Sequence, residues 1–177
     1  CCTSNVTITA AEGEIIIRYV KAENLSSWLV EKLAGPRNHR SARLTTNDFA
    51  AACLEGREID PGENNNRSAC PFLEENLCRI YPVRPFGCRL FTSTKRCSVI
   101  QPALVPDFYF EAATATSQLL EHLGQKEYWG NMQDVLLALC DISNNSLVAE
   151  QLADPARIMQ ARLQTQCARP LPGFLFT

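Results

Sequence analysis

Nine cysteines occur among 177 residues, and Cys70, Cys78 and Cys88 fall within the stretch CPFLEENLCRIYPVRPFGCRLF at positions 70–91. Thiolates are the ligands of tetrahedral zinc and of iron–sulfur clusters. Either centre needs about four of them close together, on backbone that does not yield to their mutual repulsion. Pro71, Pro82 and Pro85 supply such stiffness. Seven residues separate Cys70 from Cys78, nine separate Cys78 from Cys88, and eight more lead to Cys97. These gaps are too long for CxxC knuckles, so each ligand would come from its own turn. The adjacent pair Cys1 and Cys2 is a candidate for closing the shell from a distant part of the chain. An odd number of cysteines leaves one unpaired in any disulfide scheme, and a chain of this length buries a core without staples. Metal is therefore favoured over disulfides, and the competing interpretation of Cys70, Cys78, Cys88 and Cys97 is a set of small buried hydrophobes.

Arg79, Arg84, Arg89, Lys95 and Arg96 surround these positions. Four thiolates around zinc, or around a 4Fe–4S core, carry a formal charge of about −2, which guanidinium groups and loop N–H donors would stabilise. A solvated basic face is the alternative. Tyr81 and Phe86 could keep water from such a centre, or simply pack. Cys53 and Cys140 sit at helical spacing among apolar residues and are expected in the core, whereas Cys167 reads as an uncommitted thiol. His122 lies near an expected helix C-terminus, where the dipole favours an imidazolium. His39 lies in a basic turn. Nucleotide-binding, zincin and serine-hydrolase patterns are absent, and no catalytic residue can be named.

The elements that must position the cysteines are mostly helical. Thr9 and Glu12 form the Thr-x-x-Glu relation of a capping box, which predicts a helix over about 10–22 although Ile15, Ile16 and Ile17 favour a strand. Leu25, Trp28, Leu29 and Leu33 repeat at helical spacing before Gly35 and Pro36. A short helix opens at Thr45 or Thr46 and closes at Gly56. Positions 60–69, DPGENNNRSA, are turn chemistry. A helix capped by Asp107 ends at Gly124, and Met132, Val135, Leu136 and Leu139 form one apolar stripe. Asp154 and Pro155 open a further helix, and Phe174 and Phe176 lie in a tail that could dock on the body.

Hydrophobic residues at 46% and charged residues at 20% describe an ordinary globular chain with a net charge of −2. That balance gives no global basic field for nucleic acid, and no apolar run approaches the roughly 18 residues of a membrane span. The expectation is a single domain over 1–177, soluble and cytoplasmic: mainly α, with an irregular cysteine-rich metal-binding segment at 70–97, the Cys pair at 1–2, and a helical remainder at 105–167. Residue 1 is Cys rather than Met, which leaves two alternatives: an upstream segment carrying a targeting signal or further ligands, or a site built from fewer thiols.

The cysteine segment resembles the signature of the CxxCxxCC cysteine-cluster family of zinc- or iron-chelating proteins. That signature runs Cys-x-x-Leu, Cys-x-Ile-Tyr and Arg-Pro-x-x-Cys-Arg-x-Phe, and Cys70, Leu73, Cys78, Ile80, Tyr81, Arg84, Pro85, Cys88, Arg89 and Phe91 match it in order. The family usually opens with CxxCxxCC, of which Cys1 and Cys2 would be the final pair, so the upstream CxxC is missing here. Cys97 falls where many members carry one more cysteine. The module also resembles a domain of flagellin lysine N-methylases, which implies cluster-dependent methyl transfer to a protein substrate. We read the chain as a metalloprotein holding one iron–sulfur cluster, 4Fe–4S by preference, or zinc. Cys2, Cys70, Cys78 and Cys88 are its expected ligands, with Cys1 and Cys97 as alternates or members of a second site. A redox or binding role ranks first; a protein-modifying enzyme and a structural zinc protein are the rivals. The partner would be a protein, not nucleic acid or membrane.

Overall fold

A computed structural model describes residues 2–36, 44–59, 68–90, 93–95, 104–124, 127–140 and 169–170. Strand β1, Thr7–Thr9, runs directly into helix α1, Ala10–Ala22. Thr9 Oγ1 accepts from the Glu12 amide while the Glu12 carboxylate accepts from the Thr9 amide at 2.9 Å, so the predicted capping box is formed. The isoleucine run is helical because two of its three members face inward. Ile16, Ile17 and Val20 are buried, and Ile15, which cannot share that face, is 52% exposed. Amphipathic spacing outweighs β-propensity here.

Helix α2, Ser26–Ala34, buries Leu29 and Leu33 and stops at Gly35. Helix α3, Thr46–Leu54, has its own capping box between Thr45 and Asp48, and Gly56 at φ 65° takes the chain out through the left-handed region. Its face turns Ala52 inward and leaves Cys53 exposed, which corrects the expectation of a core thiol at 53. Helix α5, Asp107–Leu123, is capped by Pro106, with Asp107 as its first helical residue rather than its cap. Glu121 of α5 accepts the Thr46 and Asn47 amides at 2.7 and 2.9 Å, placing a carboxylate on the N-terminus of α3. Helix α6, Met132–Cys140, is buried on almost every side, Cys140 included.

The described residues are thus mainly α, as expected, with two short sheets. The hairpin β2, Leu73–Glu74, and β3, Leu77–Cys78, lies in the cysteine segment, and β4, Tyr128–Asn131, and β5, Arg169–Pro170, complete a sheet of order β1-β4-β5. The register places Ile8 opposite Gly130. Among the described residues no helix is long and apolar enough to cross a membrane. The expected loop at 60–67, the helix after Asp154, the tail phenylalanines, His39 and Cys167 lie outside the described residues.

The core is assembled where α1 crosses α6. A Cβ at Gly13 would lie 2.6 Å from Leu139 Cδ1 and 3.2 Å from Val135 Cγ1, so only glycine lets the two helices approach this closely. Gly13→Val should therefore cost about 1–3 kcal/mol in urea unfolding through overpacking. An unchanged midpoint would contradict the tight crossing.

Candidate metal centre

Backbone pairing brings the first two thiols together. Residues 2–4 run antiparallel to 68–70: the Cys70 amide donates to the Cys2 carbonyl at 3.0 Å, the Ser4 amide to the Ser68 carbonyl at 2.9 Å, and Thr3 bridges Ala69. The β2–β3 hairpin then returns the chain through Glu75 and Asn76, both at positive φ, the pattern of a tight two-residue hairpin turn. Leu73 stands opposite Cys78.

Two apolar anchors hold that hairpin. Phe72 and Ile80 are 0% and 1% exposed, each two residues beyond a cysteine, and burying such side chains contributes about 1.5–3 kcal/mol apiece. The Trp28 ring of α2 lies 5.7 Å from that of Phe72. Glu74 accepts from Trp28 Nε1 at 2.8 Å and pairs with Lys32 at 2.9 Å and Arg79 at 3.4 Å, which ties α2 to the hairpin. Lys32 and Trp28 hold the half-buried Glu74 carboxyl below its ordinary value.

A 3₁₀ turn, Tyr81–Val83, and the short helix α4, Phe86–Arg89, carry the chain to Cys88. Arg89 donates to the carbonyls of Arg84 at 2.8 Å and Pro82 at 3.0 Å, clamping this proline-rich turn. Glu12 does the long-range positioning. One of its oxygens serves the Thr9 cap and the other accepts the Phe86 amide at 2.8 Å, so the first residue of α4 is fixed to the start of α1.

Cys70, Cys78 and Cys88 are half-buried against the core and Cys2 is exposed; none is in a disulfide. Burial is the first cause of their raised pKa values, with Cys70 pushed up to about 11, Cys88 to about 12, and Cys78 upward. The four thiols also sense one another. Cys78 and Cys2 act on Cys70, Cys2 acts on Cys78, and Cys70, Cys78 and Cys2 act on Cys88, each raising the cost of ionisation. Opposing this, the Phe72 amide donates to the Cys70 sulfur, the Ile80 amide to the Cys78 sulfur, and Arg84 favours ionised Cys78 and Cys88. Arg84 stacks on Tyr81, with its guanidinium carbon 3.8 Å from the ring centroid, and its buried Nε has no hydrogen-bond partner.

Among the described residues no three Cys, His, Asp or Glu side chains converge tightly enough to enclose an ion as they stand. The donor types are nonetheless those of a thiolate-bound metal: soft sulfur donors, two backbone N–H groups that favour ionised sulfur, and a half-buried guanidinium whose Nε has no hydrogen-bond partner. Of the expected ligands, Cys2 and Cys70 are joined by backbone pairing, Cys78 and Cys88 pack with Cys70 against the same core, and Cys1 and Cys97 lie outside the described residues. Arg79 is committed to Glu74 and Arg89 to backbone carbonyls, while Lys95 is exposed and Arg96 is not described. Tyr81, at 59% exposure, is a platform for Arg84 rather than a shield. The sequence reading missed the second use of Glu12. Its capping role was legible, but a contact spanning 74 residues leaves no local signal.

A family model named CxxCxxCC, described as a "putative zinc- or iron-chelating domain", matches residues 1–113. No curated protein and no solved structure matches the chain.

Glu12→Ala removes the cap acceptor and the Phe86 anchor together, and should lower stability by about 1–3 kcal/mol and hasten metal loss to a chelator. Glu12→Gln, with one acceptor oxygen, should fall between. Retention equal to wild type in both variants would show that Cys88 is positioned without Glu12. The raised thiol pKa values set two opposite pH trends. Folded thiols that ionise above the ordinary value of about 8.5 make the metal-free fold lose stability as pH rises beyond it. Metal binding, which must displace those protons, should instead tighten with pH across the neutral range. Calorimetric unfolding and chelator competition at several pH values measure the two trends.

Proposed function

The chain belongs to the CxxCxxCC family, and from that premise we propose that it binds one iron–sulfur cluster, or else zinc, through the thiolates of Cys2, Cys70, Cys78 and Cys88, in a redox or binding role. Cys1 and Cys97 are alternates or members of a second site. The observation that carries this is the shared electrostatic neighbourhood of four thiols drawn from separate turns, beside a buried guanidinium Nε that lacks a partner. The family's description as chelating supports metal binding in general. The long, proline-stiffened ligand spacing, without paired CxxC knuckles, favours iron–sulfur over a compact zinc ribbon.

A cluster bound there would supply one-electron chemistry, and zinc a cross-link that sustains the fold. The chain's own residues do the rest. Phe72 and Ile80 donate N–H groups to two sulfurs and anchor the hairpin in the core. Arg84 offsets negative charge, and the apolar core behind the thiols limits water.

A second reading, a protein-modifying enzyme that depends on its cluster, rests on a cleft of about 350 Å³ bounded by β1, α4 and α5. Thr7, Glu12, Phe86, Gly87 and Glu121 are among its lining residues, so it adjoins the helix that carries Cys88. Its volume lies within the range of small-ligand sites.

Anaerobic purification with analysis of iron, zinc and acid-labile sulfide tests the proposal. Iron and sulfide in equal amounts, with a visible absorption that bleaches on reduction and disappears in Cys70→Ser and Cys88→Ser, is the expected result. A colourless protein with stoichiometric zinc would remove the cluster and leave a structural or binding role. A chain that retains neither metal would remove the proposal.

A further inference from the structure

Helix α5, Asp107–Leu123, is joined to the body along one side. Its hydrogen bonds to α3 come from Gln118 and Glu121, and Phe110, Thr114 and Ser117 continue that side along a cleft shared with Thr46 and Leu90. The opposite face is apolar and bare. Phe108, Ala112, Ala115, Leu119 and Leu123 recur at steps of four, three, four and four residues, which keeps them on one stripe of the helix. All five are exposed, Phe108 at 72%, Leu119 at 54% and Leu123 at 73%. A single exposed leucine needs no explanation, but a continuous apolar row along 17 helical residues is the face of a helix that packs on another.

We propose that this stripe is a self-association surface, through which two copies of the chain pair their α5 helices antiparallel about a two-fold axis between Ala112 and Ala115. The order of sizes selects a second copy as the occupant. Phe108, Ala112, Ala115 and Leu119 read large, small, small, large from either end, so the stripe is complementary to itself reversed. Phe108 then meets Leu119 of the second copy, and Ala112 meets Ala115, where small side chains let the helix axes approach to about 8 Å. Leu123 extends past the first turn of the second copy, where Leu104 is also exposed. Charge selects the direction. Asp107 and Glu111 are exposed in the first two turns, whereas Glu121, the acidic residue of the far end, is buried against α3. A parallel pair would set the two exposed carboxylates against their own counterparts. The antiparallel pair sets them beside the end that carries Gln118 and His122, and it opposes the two helix dipoles. Area fixes the strength: a 17-residue helix is about 25 Å long, and pairing along one face buries no more than roughly 1,200 Å² in total, the lower edge of specific interfaces. The dimer is therefore reversible rather than obligate. It goes beyond the metal-binding reading and does not depend on it.

Sedimentation velocity of the full chain over a wide range of concentration tests the inference, with reductant present so that the exposed Cys2 and Cys53 cannot cross-link. The wild-type chain should pass from monomer to dimer as concentration rises. Ala115→Glu keeps a good helix former but sets like charges across the axis, and should weaken the dimer about tenfold or more. Leu54→Glu, at the exposed end of α3, should leave the dimer intact. Direction is read from a mixture. Leu119→Glu and Phe108→Lys should each lose the dimer alone and recover it when combined, because antiparallel pairing sets position 119 of one copy beside position 108 of the other. Urea midpoints equal to wild type in dilute solution separate loss of pairing from loss of fold. A wild-type chain that stays monomeric at every concentration would overturn the inference and leave the stripe to a different protein. A dimer undiminished in Ala115→Glu would overturn it by placing the interface elsewhere, and a mixture that fails to recover would overturn the antiparallel register.

Discussion

An extended segment can pair along one of its edges with only one neighbour at a time, and the run from Cys2 to Thr9 changes neighbour midway. Residues 2–4 pair with 68–70; from Val6, whose carbonyl accepts the Met132 amide at 2.8 Å, the chain pairs with β4. The first pairing sets Cys2 beside Cys70. The second fixes α1 against α6, because β1 flows into α1 and β4 into α6 without a loop. Thr9 closes the strand and caps the helix, and the Glu12 that completes the cap also holds the first amide of α4. The position of Cys88 thus depends on residues far away in sequence, whereas the hairpin of Cys70 and Cys78 depends on the local burial of Phe72 and Ile80.

Burial and charge oppose each other at this site, and their balance explains its chemistry. Packing against the core desolvates Cys70, Cys78 and Cys88 and keeps them protonated. Two backbone N–H groups and one guanidinium offset part of that cost. A bound cation would offset the remainder, since the low-dielectric environment that penalises an isolated thiolate strengthens its attraction to metal. Raised pKa values keep these thiols neutral near pH 7, and metal binding there would have to displace their protons.

Much of this was legible locally. Thr9 with Glu12 announced α1, Gly35 and Gly56 marked the ends of α2 and α3, and the prolines of 71–85 excluded a continuous helix across the cysteines. What was not legible arose from long-range pairing. β1 is made of strand-favouring residues but is only three long, and β4 carries Gly130 and Asn131, so neither is long or regular enough to identify a strand alone. Each exists because the other is there. Cys53 shows the limit of periodicity, since apolar spacing placed it inward while the helix presents Ala52 to the core and Cys53 to water. Within the site, the ligand candidates were evident from residue type. The two-residue step from Cys70 to Phe72 and from Cys78 to Ile80, which sets sulfur outside, anchor inside and an amide toward each sulfur, required the fold.

X-ray absorption at the metal edge of the anaerobically loaded protein tests the four-cysteine centre most directly. Coordination by sulfur from the protein and any cluster sulfide, at about 2.3 Å, with an oxygen scatterer appearing in Cys88→Ser, is the predicted result. A wild-type shell of nitrogen and oxygen, or a spectrum unmoved when Cys70, Cys78 and Cys88 are replaced together, would contradict it.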